Sequence, residues 1–184
     1  MGGIDKGLVE IAGRPMIGYV LEALRSQVDC VLINANRNLD RYAALDVEVV
    51  SDRLADYQGP LAGIASALSA ASTPLVTTVP CDAPLLPTNL VQRLLAPLRE
   101  ADAEIAVVSV ERRLQPVFLL MRRSVLAGLQ AYLAGGERKI DRWFPTHRWI
   151  SVDLSDCSDC FINVNSPADA AAVTPRLPPR YPEY

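Results

Sequence analysis

Basic residues, long apolar runs and histidine are all scarce in this chain. It has 18 lysine and arginine residues and 21 aspartate and glutamate residues, so its net charge is −3. We therefore expect no clustered basic surface that would bind nucleic acid. A membrane helix needs about 18–20 consecutive apolar residues, and the sequence contains no such run. The charged start is not followed by the apolar stretch of a signal peptide. We therefore predict a cytoplasmic protein without a nucleic-acid or membrane partner.

The cysteines and the histidine exclude most nucleophilic and zinc chemistry. Cys30 and Cys81 are isolated in the sequence. Cys157 and Cys160 form one Cys-x-x-Cys, whereas a zinc site needs a second pair or nearby histidines, so we expect loop residues without a role. His147 is the only histidine and is expected at the surface, which argues against a Ser-His-Asp or Cys-His triad. The chemistry must therefore use carboxylates, amides, lysine or arginine and a hard metal ion.

Short apolar segments alternate with amphipathic segments along the 184 residues. The pattern predicts strands over 30–33, 47–50, 74–80, 105–110, 117–121, 150–154 and 161–164. It predicts helices over 15–27, 61–71, 90–98 and 123–133, and a last helix capped by Ser166. This alternation is typical of an α/β fold with a three-layer, doubly wound and mostly parallel sheet. We predict one such domain over residues 1–173 and a flexible, proline-rich tail over 174–184.

Polar side chains follow three of the predicted strands, at the points where these strands end. Asn34 and Asn36 follow the first strand, Asp52 follows the second, and Asp82 follows the third. One such residue is unremarkable, since Asn and Asp are common in turns. In a parallel sheet, however, the carboxyl ends share one edge, and ligands bind there. The sequence therefore predicts a functional cleft at this edge.

Asp82 is the strongest single candidate in that cleft. It follows an apolar strand, and Pro80 and Pro84 restrict the backbone on either side. Mg²⁺ prefers one or two carboxylates together with phosphate oxygens and water, so Asp82 is a candidate magnesium ligand. The alternative interpretation is a turn residue or a helix cap without chemistry.

Two glycine-containing segments are candidates for contact with a nucleotide. Lys6 comes shortly after a Gly-Gly pair, where a backbone can approach a phosphate closely and the lysine can neutralise its charge. Residues 59–63, Gly-Pro-Leu-Ala-Gly, can present backbone groups to a base, or they can be only a rigid turn into a helix. Either segment alone is a weak signal.

Two further segments carry groups that can bind an anion or a polar ligand. Asn163 and Asn165 lie two residues apart at the end of the last predicted strand, so their amides are expected on one face. Arg138 and Lys139 follow a Gly-Gly pair in a loop and form a cationic pair, although such a charged run is usually a solvated surface.

Taken in order, these segments resemble those of the molybdenum cofactor guanylyltransferases, the MobA family. The resemblance covers residues 1–173 and is carried by Met-Gly-Gly-Ile-Asp-Lys-Gly at 1–7, Ile-Asn-Ala-Asn-Arg at 33–37, Asp-Arg-Leu-Ala-Asp-Tyr-Gln-Gly-Pro-Leu-Ala-Gly at 52–63, Pro-Cys-Asp-Ala-Pro at 80–84, Gly-Glu-Arg-Lys at 136–139 and Phe-Ile-Asn-Val-Asn-Ser-Pro at 161–167. The lysine and the acid of the first and fourth segments are shared with a wider set of nucleotidyltransferases. The strings at 56–63 and 161–167 are more specific.

The resemblance implies a Rossmann-like nucleotidyltransferase fold and transfer of GMP from GTP to the terminal phosphate of molybdopterin. The products would be molybdopterin guanine dinucleotide and pyrophosphate. Lys6 and Asp82 would be the catalytic residues, with Lys6 on the GTP phosphates and Asp82 on Mg²⁺. The guanosine pocket would be lined by Asn34, Asp52, Gly59, Pro60, Leu61 and Gly63.

On the other side of the site, the resemblance implies that Arg138, Asn163 and Asn165 face molybdopterin, which carries the molybdenum. It also implies as partners other proteins of molybdenum cofactor biosynthesis and the chaperones of molybdoenzymes. Such a transfer needs no covalent intermediate, because the molybdopterin phosphate attacks the α-phosphate of GTP directly. The enzyme supplies positioning and positive charge, which is consistent with the scarcity of histidine.

The sequence departs from the family at its N-terminus. Members open with a strand, a Leu-Ala-Gly-Gly loop and an arginine that wrap the nucleotide phosphates, and Met1 corresponds to a methionine that follows them. In the doubly wound order this first strand is central. We therefore expect the reading frame upstream of Met1 to encode these residues, and a stop codon directly upstream would contradict that expectation.

Two alternative functions remain open from the sequence. One is a cytidylyltransferase or another nucleotidyltransferase of the same fold, which turnover of CTP in place of GTP would reveal. The other is a molybdopterin-binding protein that keeps the cleft and lacks transferase chemistry. Titration of GTP and Mg²⁺ separates this second alternative from an enzyme.

Overall fold

The computed structural model describes residues 5–52 and 59–178, so the sequence segments at 1–4 and 53–58 and the tail beyond 178 lie outside the described residues. The strands are β1 (Glu10–Ile11), β2 (Arg14–Pro15), β3 (Leu32–Asn34), β4 (Glu48–Val50), β5 (Leu75–Thr78), β6 (Ile105–Val110), β7 (Arg113–Arg122) and β8 (Trp149–Asp153). The helices are α1 (Met16–Arg25), α2 (Leu39–Ala43), α3 (Pro60–Ala70), α4 (Leu90–Glu100), α5 (Leu126–Ala134), α6 (Ile140–Trp143) and α7 (Pro167–Val173). Among the described residues, no helix combines the length and apolar character needed to span a bilayer.

The strands form a mixed arrangement rather than the mostly parallel sheet that the sequence predicts. The largest sheet has the order β5-β7-β6-β8, in which β7 runs antiparallel to both neighbours and β8 runs parallel to β6. β3 and β4 form a separate parallel pair, and β1 and β2 form a short antiparallel pair. The β6–β7 hairpin turns at Glu111 and Arg112, which both have positive φ, as a two-residue hairpin turn requires. The predicted α/β class is confirmed, with this antiparallel hairpin inside the sheet.

Helices cover both faces of the large sheet, and β6 is therefore buried along its whole length. Ala106 and Val108 pack into one cluster with Leu94 of α4, whereas Ile105 and Val107 pack into a second cluster with residues of α3 and α5. Successive side chains of a strand point to opposite faces, so a strand between two helical layers needs a continuous apolar run. The run over 105–110 satisfies this requirement and forms the centre of the core.

A slot separates the β3–β4 pair from the large sheet. Within the described part of the chain, β3 pairs only with β4 and β5 pairs only with β7, so each turns one edge toward the slot. Apolar side chains such as Val20 of α1 and Ile64 of α3 line it, and its volume is about 620 Å³. Asn34 and Asp82 also line the slot.

The prediction of a strand over 161–164 is wrong. Phe161 ends a 3-10 helix, Ser155–Phe161, and the residues that follow have no regular secondary structure before α7. The backbone N–H of Val164 donates to the carbonyl of Asp82, at 2.8 Å, instead of joining a strand ladder. The segment 162–165, called the strap below, is therefore held beside the end of β5 by this hydrogen bond. Because the strap is not a strand, the alternation of side chains that would place Asn163 and Asn165 on one face does not apply.

The prediction that His147 lies on the surface is also wrong. Its side chain is only 13% exposed, and its ring contacts the ring of Trp143 edge to face at a centroid distance of 5.3 Å. Nδ1 lies 4.0 Å from a carboxylate oxygen of Glu104. His147 therefore packs in the core beside Trp143 of α6.

Ser166 caps α7 as predicted. Its hydroxyl accepts from the N–H of Asp169, and the carboxylate of Asp169 accepts from the N–H of Ser166 at 2.8 Å, which completes a capping box. The N–H of Asn165 donates to the same carboxylate at 2.9 Å. These bonds from Asn165 and Ser166 lower the pKa of Asp169. Because the folded pKa is depressed, the contribution to stability is complete above the ordinary aspartate pKa and is lost as the pH falls through the lowered value.

Ser166→Ala is expected to lower the free energy of unfolding by about 1 kcal/mol, since the cap loses its side-chain acceptor. Urea denaturation at pH 7 measures this change. Ser124→Ala is the matched control, because Ser124 is exposed and lies outside the α-helices, and it is expected to change stability by less than about 0.5 kcal/mol. Equal stabilities of the two variants would show that the capping box contributes nothing.

Candidate active site

The centre of the site is a contact between three distant segments of the chain. Asp82 follows β5 and is 7% exposed. The ammonium Nζ of Lys6 lies 3.1 Å from Oδ2 of Asp82 and also donates to the amide oxygen of Asn165. The strap bond from Val164 fixes the backbone of Asp82 from the other side. A cation, a carboxylate and an amide thus meet at the carboxyl end of the sheet, where the sequence predicts a cleft.

Lys6 is positioned by the preceding residue, Asp5, which the sequence did not single out. The carboxylate of Asp5 accepts from the hydroxyl of Tyr42 and from the amide Nδ2 of Asn38, at 2.9 Å, and lies 3.6 Å from Nε of Arg37. Burial and the Asp5 carboxylate raise the pKa of Tyr42 above its usual range, so the phenol stays protonated as a donor. This network anchors the short 3-10 helix Lys6–Leu8 on which the lysine stands.

Gly7 lets this helix pack closely against the site. A Cβ at this position would lie 2.8 Å from the hydroxyl of Tyr42 and 3.3 Å from Cβ of Cys81. Burial, together with the neighbouring Asp82 charge, raises the pKa of Cys81 to about 11. Cys81 is therefore a neutral thiol at physiological pH and serves as packing beside the carboxylate.

A second polar cluster lies at the ends of β3 and β4. The carboxylate of Asp52 accepts from Nδ2 of Asn34 at 2.9 Å and from Nδ2 of Asn36 at 2.7 Å. The backbone N–H of Asp52 donates to Oδ1 of Asn36 at 2.8 Å. The three residues lie at the ends of two different strands, as predicted, and the structure brings them together at one edge. Each carboxylate oxygen of Asp52 keeps a lone pair for a further donor.

The start of α3 lies beside this second cluster. Gly59 has φ +118°, a conformation that side chains rarely adopt, and Pro60 occupies the first turn of the helix. Both residues are exposed, whereas the side chain of Leu61 is buried in the core. Gly63 faces Asn34 so closely that a Cβ would lie 3.1 Å from its Cγ. The backbone at Gly59 and Pro60 is thus exposed to solvent, and the absence of a side chain at Gly63 leaves space for the side-chain amide of Asn34.

Of the three residues predicted to face the second substrate, Asn163, Asn165 and Arg138, only Asn165 contacts the Lys6–Asp82 pair. Asn165 contacts Lys6, while Asn163 is exposed on the strap and its carbonyl lies 3.4 Å from Nδ2 of Asn165. The guanidinium of Arg138 donates to the carbonyls of Leu133 and Glu137, at 2.9 and 2.7 Å, and so fixes the loop after α5. The structure therefore joins Asn165 to the Lys6–Asp82 pair and ties Arg138 to its own loop.

The donor set around Asp82 has the chemistry expected for a hard divalent cation. Among the described residues, no three His, Cys, Asp or Glu side chains form a metal-binding group. Asp82 provides one buried carboxylate, and Asn165 provides an amide oxygen beside it. Mg²⁺ characteristically takes one or two carboxylates and completes its shell with phosphate oxygens and water. The residues present therefore fit a metal that arrives with a nucleotide.

Gly63→Ala is expected to raise the KM for the nucleotide about tenfold and to leave kcat within about twofold, because the new methyl group displaces the Asn34 amide from the second cluster. Steady-state kinetics with varied nucleotide measure the two constants. Gly135→Ala is the matched control, because a Cβ there makes only ordinary contacts with backbone oxygens. A KM unchanged from the parent would remove Asn34 from the nucleotide site.

Comparison with known protein sequences identifies the family of this chain. The sequence matches the model of the MobA-like NTP transferase domain over residues 1–149. A molybdenum cofactor guanylyltransferase of Shewanella halifaxensis (strain HAW-EB4) is 48% identical over 167 residues, which cover 91% of this chain and 84% of that protein. The protein of the same name from Shewanella piezotolerans (strain WP3 / JCM 13877) is 49% identical over 167 residues, which cover 91% of this chain and 82% of that protein.

Solved structures agree at the level of the fold. Molybdopterin-guanine dinucleotide biosynthesis protein A from Archaeoglobus fulgidus superposes with a TM-score of 0.78 at 18% identity, over 95% of this chain and 91% of that one. The 2-C-methyl-D-erythritol 4-phosphate cytidylyltransferase of Thermus thermophilus gives a TM-score of 0.70 at 16% identity, over 93% of each chain. The resemblance found in the sequence motifs is confirmed, and the chain belongs to the MobA-like NTP transferases, a family of nucleotidyltransferases.

Proposed function

We propose that this chain transfers GMP from GTP to the terminal phosphate of molybdopterin, which forms molybdopterin guanine dinucleotide and releases pyrophosphate. The observation that carries the proposal is the contact of Lys6 with Asp82 and Asn165 at the carboxyl end of the sheet. The names of the Shewanella relatives support the choice of GTP and of molybdopterin. Family membership supports the reaction class.

The reaction needs charge and alignment from the protein rather than a nucleophilic side chain. An oxygen of the molybdopterin phosphate forms a bond to the α-phosphorus of GTP, and the bond from that phosphorus to the bridging oxygen of pyrophosphate breaks. Negative charge develops on the leaving pyrophosphate, and Lys6 is positioned to neutralise it. Asp82 would hold Mg²⁺, which supplies further positive charge to the phosphates when bound.

We assign the second cluster to the base of the nucleotide. Guanine carries two adjacent N–H donor groups, N1–H and the N2 amino group, and these need acceptors. The Asp52 carboxylate, held by Asn34 and Asn36, offers two oxygens with unused lone pairs. The exposed backbone at Gly59 and Pro60 lies at the start of the neighbouring helix and would complete the pocket.

We assign the strap to the acceptor substrate. Asn163 and Asn165 lie on the strap, and Asn165 reaches the Lys6–Asp82 pair, so a substrate phosphate bound there would meet the nucleotide at the reacting phosphorus. Arg138 would contribute positive charge from the loop after α5. In this proposal the second cluster would bind the base of GTP, the Lys6–Asp82 pair would lie at the reacting phosphates, and the strap would bind molybdopterin.

Turnover of GTP and CTP with molybdopterin tests the proposal. The full chain, with Mg²⁺, is expected to release pyrophosphate from GTP at least about tenfold faster than from CTP, since cytosine cannot fill both acceptors of Asp52. A preference for CTP would identify a cytidylyltransferase of the same fold. Binding of molybdopterin without pyrophosphate release from either nucleotide would instead favour a molybdopterin-binding protein without transferase activity.

A further inference from the structure

Cys157 and Cys160 form a pair of neighbouring thiols outside the site described above. The prediction that they are loop residues without a role is wrong as to structure, because both lie on the 3-10 helix Ser155–Phe161, and the helix is kinked at Cys157. Both side chains are half-buried and pack against the same apolar cluster. Burial raises the pKa of the Cys160 thiol, and the charge of the neighbouring Cys157 and a hydrogen bond to it raise that pKa further.

The guanidinium group of Arg93 contacts one of the two thiols, that of Cys157. Nη1 of Arg93, on α4, lies 3.3 Å from Sγ of Cys157. Asp156 holds this guanidinium in place through two hydrogen bonds, of 2.9 Å to Nη1 and 2.6 Å to Nη2. A fixed positive donor at a sulfur stabilises the negative charge that the sulfur carries when it reacts. The two cysteines are therefore not equivalent, since Cys157 has this partner and Cys160 is a neutral thiol beside it.

We propose that Cys157 and Cys160 are a reversible dithiol–disulfide site whose reaction with peroxide is promoted by Arg93. The Cys157 thiolate attacks one oxygen of hydrogen peroxide and becomes a sulfenic acid, with release of one water after protonation. Cys160 then attacks that sulfur, the S–S bond forms, and the hydroxyl group leaves as a second water. Two thiols and one peroxide thus give one disulfide and two waters.

The helix that carries the two cysteines leads directly into the strap. The 3-10 helix ends at Phe161, whose ring packs edge to face on Phe118 at 5.0 Å, and the strap begins at the next residue. A disulfide between the first and last turns of this helix would restrain its kink and hold the start of the strap. The redox state of the pair is in this way connected to the segment that carries Asn165.

Peroxide oxidation of the reduced full chain, followed by alkylation and trypsin, tests the proposal. Cleavage after Arg148 and Arg176 releases one peptide, residues 149–176, that contains both cysteines. We expect this peptide to lose about two mass units and to escape alkylation, and dithiothreitol to restore both thiols. A peptide that stays doubly alkylated at peroxide doses that oxidise the exposed Cys30 would overturn the proposal.

Variants on α4 test the role of the guanidinium. Arg93→Gln is expected to slow disulfide formation about tenfold, because it removes the charged donor at Cys157. Arg99→Gln, at an exposed position of the same helix, is the matched control and is expected to stay within about twofold of the parent. In Cys160→Ser, a dimedone adduct is expected at Cys157. Equal rates in the two arginine variants, or an adduct at Cys30 alone, would contradict the assignment.

Discussion

Asp82→Asn is expected to lower kcat for guanylyl transfer by about 10²–10³, the effect typical of removing one group that stabilises charge in a transition state. Asparagine keeps the size of the side chain and leaves the backbone carbonyl that Val164 binds. It lacks the negative charge that a magnesium ligand at this position needs. It also leaves the Lys6 ammonium without its carboxylate partner. Pyrophosphate release under saturating GTP, molybdopterin and Mg²⁺ measures the change.

The control for this variant is Asp102→Asn. Asp102 also pairs with cations, Arg122 at 3.2 Å and Arg148 at 3.3 Å, but it is exposed and its partners lie outside the site. We expect Asp102→Asn to leave kcat unchanged and to unfold within about 1 kcal/mol of the parent, since exposed ion pairs contribute little. If Asp82→Asn keeps more than a tenth of the parent activity, Asp82 is a turn residue and the alternative interpretation of the sequence is right.

The parts of this molecule that the sequence predicts are those with local signals. A capping serine with an acid three residues later predicts the start of α7, and a continuous apolar run predicts β6 between two helical layers. The position of Asp82 directly after an apolar strand likewise predicts its place at the sheet edge. In each case a few neighbouring residues determine the local structure, so it can be predicted without knowing the tertiary fold.

The strap shows where this reasoning fails. Ile-Asn-Val-Asn at 162–165 alternates in polarity, as a half-buried strand does, but the N–H of Val164 donates to the carbonyl of Asp82 on a distant segment. Tertiary context decides such cases, because strand propensity is weak and depends on the neighbours available. For the same reason no local pattern predicts the contact of Asn165 with Lys6, across 159 residues.

Asp5 shows a second kind of limit. Beside Lys6 in the sequence it has the pattern of an exposed charge pair, and no feature of its neighbours indicates that it bonds Tyr42. Burial of a phenol depends on the packing of α2 against the short helix at Lys6, which is a property of the assembled fold. Lys6 could be chosen as a candidate from its segment, whereas the network that orients it could not be predicted.

Lys6→Gln is expected to lower kcat/KM for GTP by about 10²-fold. The Lys6 side chain is 39% exposed, and its ammonium already contacts the carboxylate of Asp82 and the amide oxygen of Asn165, so it needs no rearrangement to meet a phosphate that binds there. Glutamine can still donate to these oxygens, but it brings no charge to the triphosphate, and a hydrogen bond to a charged group contributes about 1.5–3 kcal/mol. Lys6→Arg keeps the charge in a larger planar group and is expected to recover part of the loss.

A double substitution shows whether Lys6 neutralises charge on the nucleotide phosphates or only positions the Asp82 carboxylate. If Lys6 acts on the phosphates, Lys6→Gln weakens GTP binding measured without Mg²⁺, and the combination with Asp82→Asn is slower than Asp82→Asn alone. If Lys6 only holds Asp82, GTP binding without Mg²⁺ is unchanged and the double variant turns over no more slowly than Asp82→Asn. Because the two side chains are in contact, their effects are expected to be non-additive by about 0.5–3 kcal/mol. The size of that coupling reports how much of the lysine's effect passes through the carboxylate, and the remainder is its direct action on GTP.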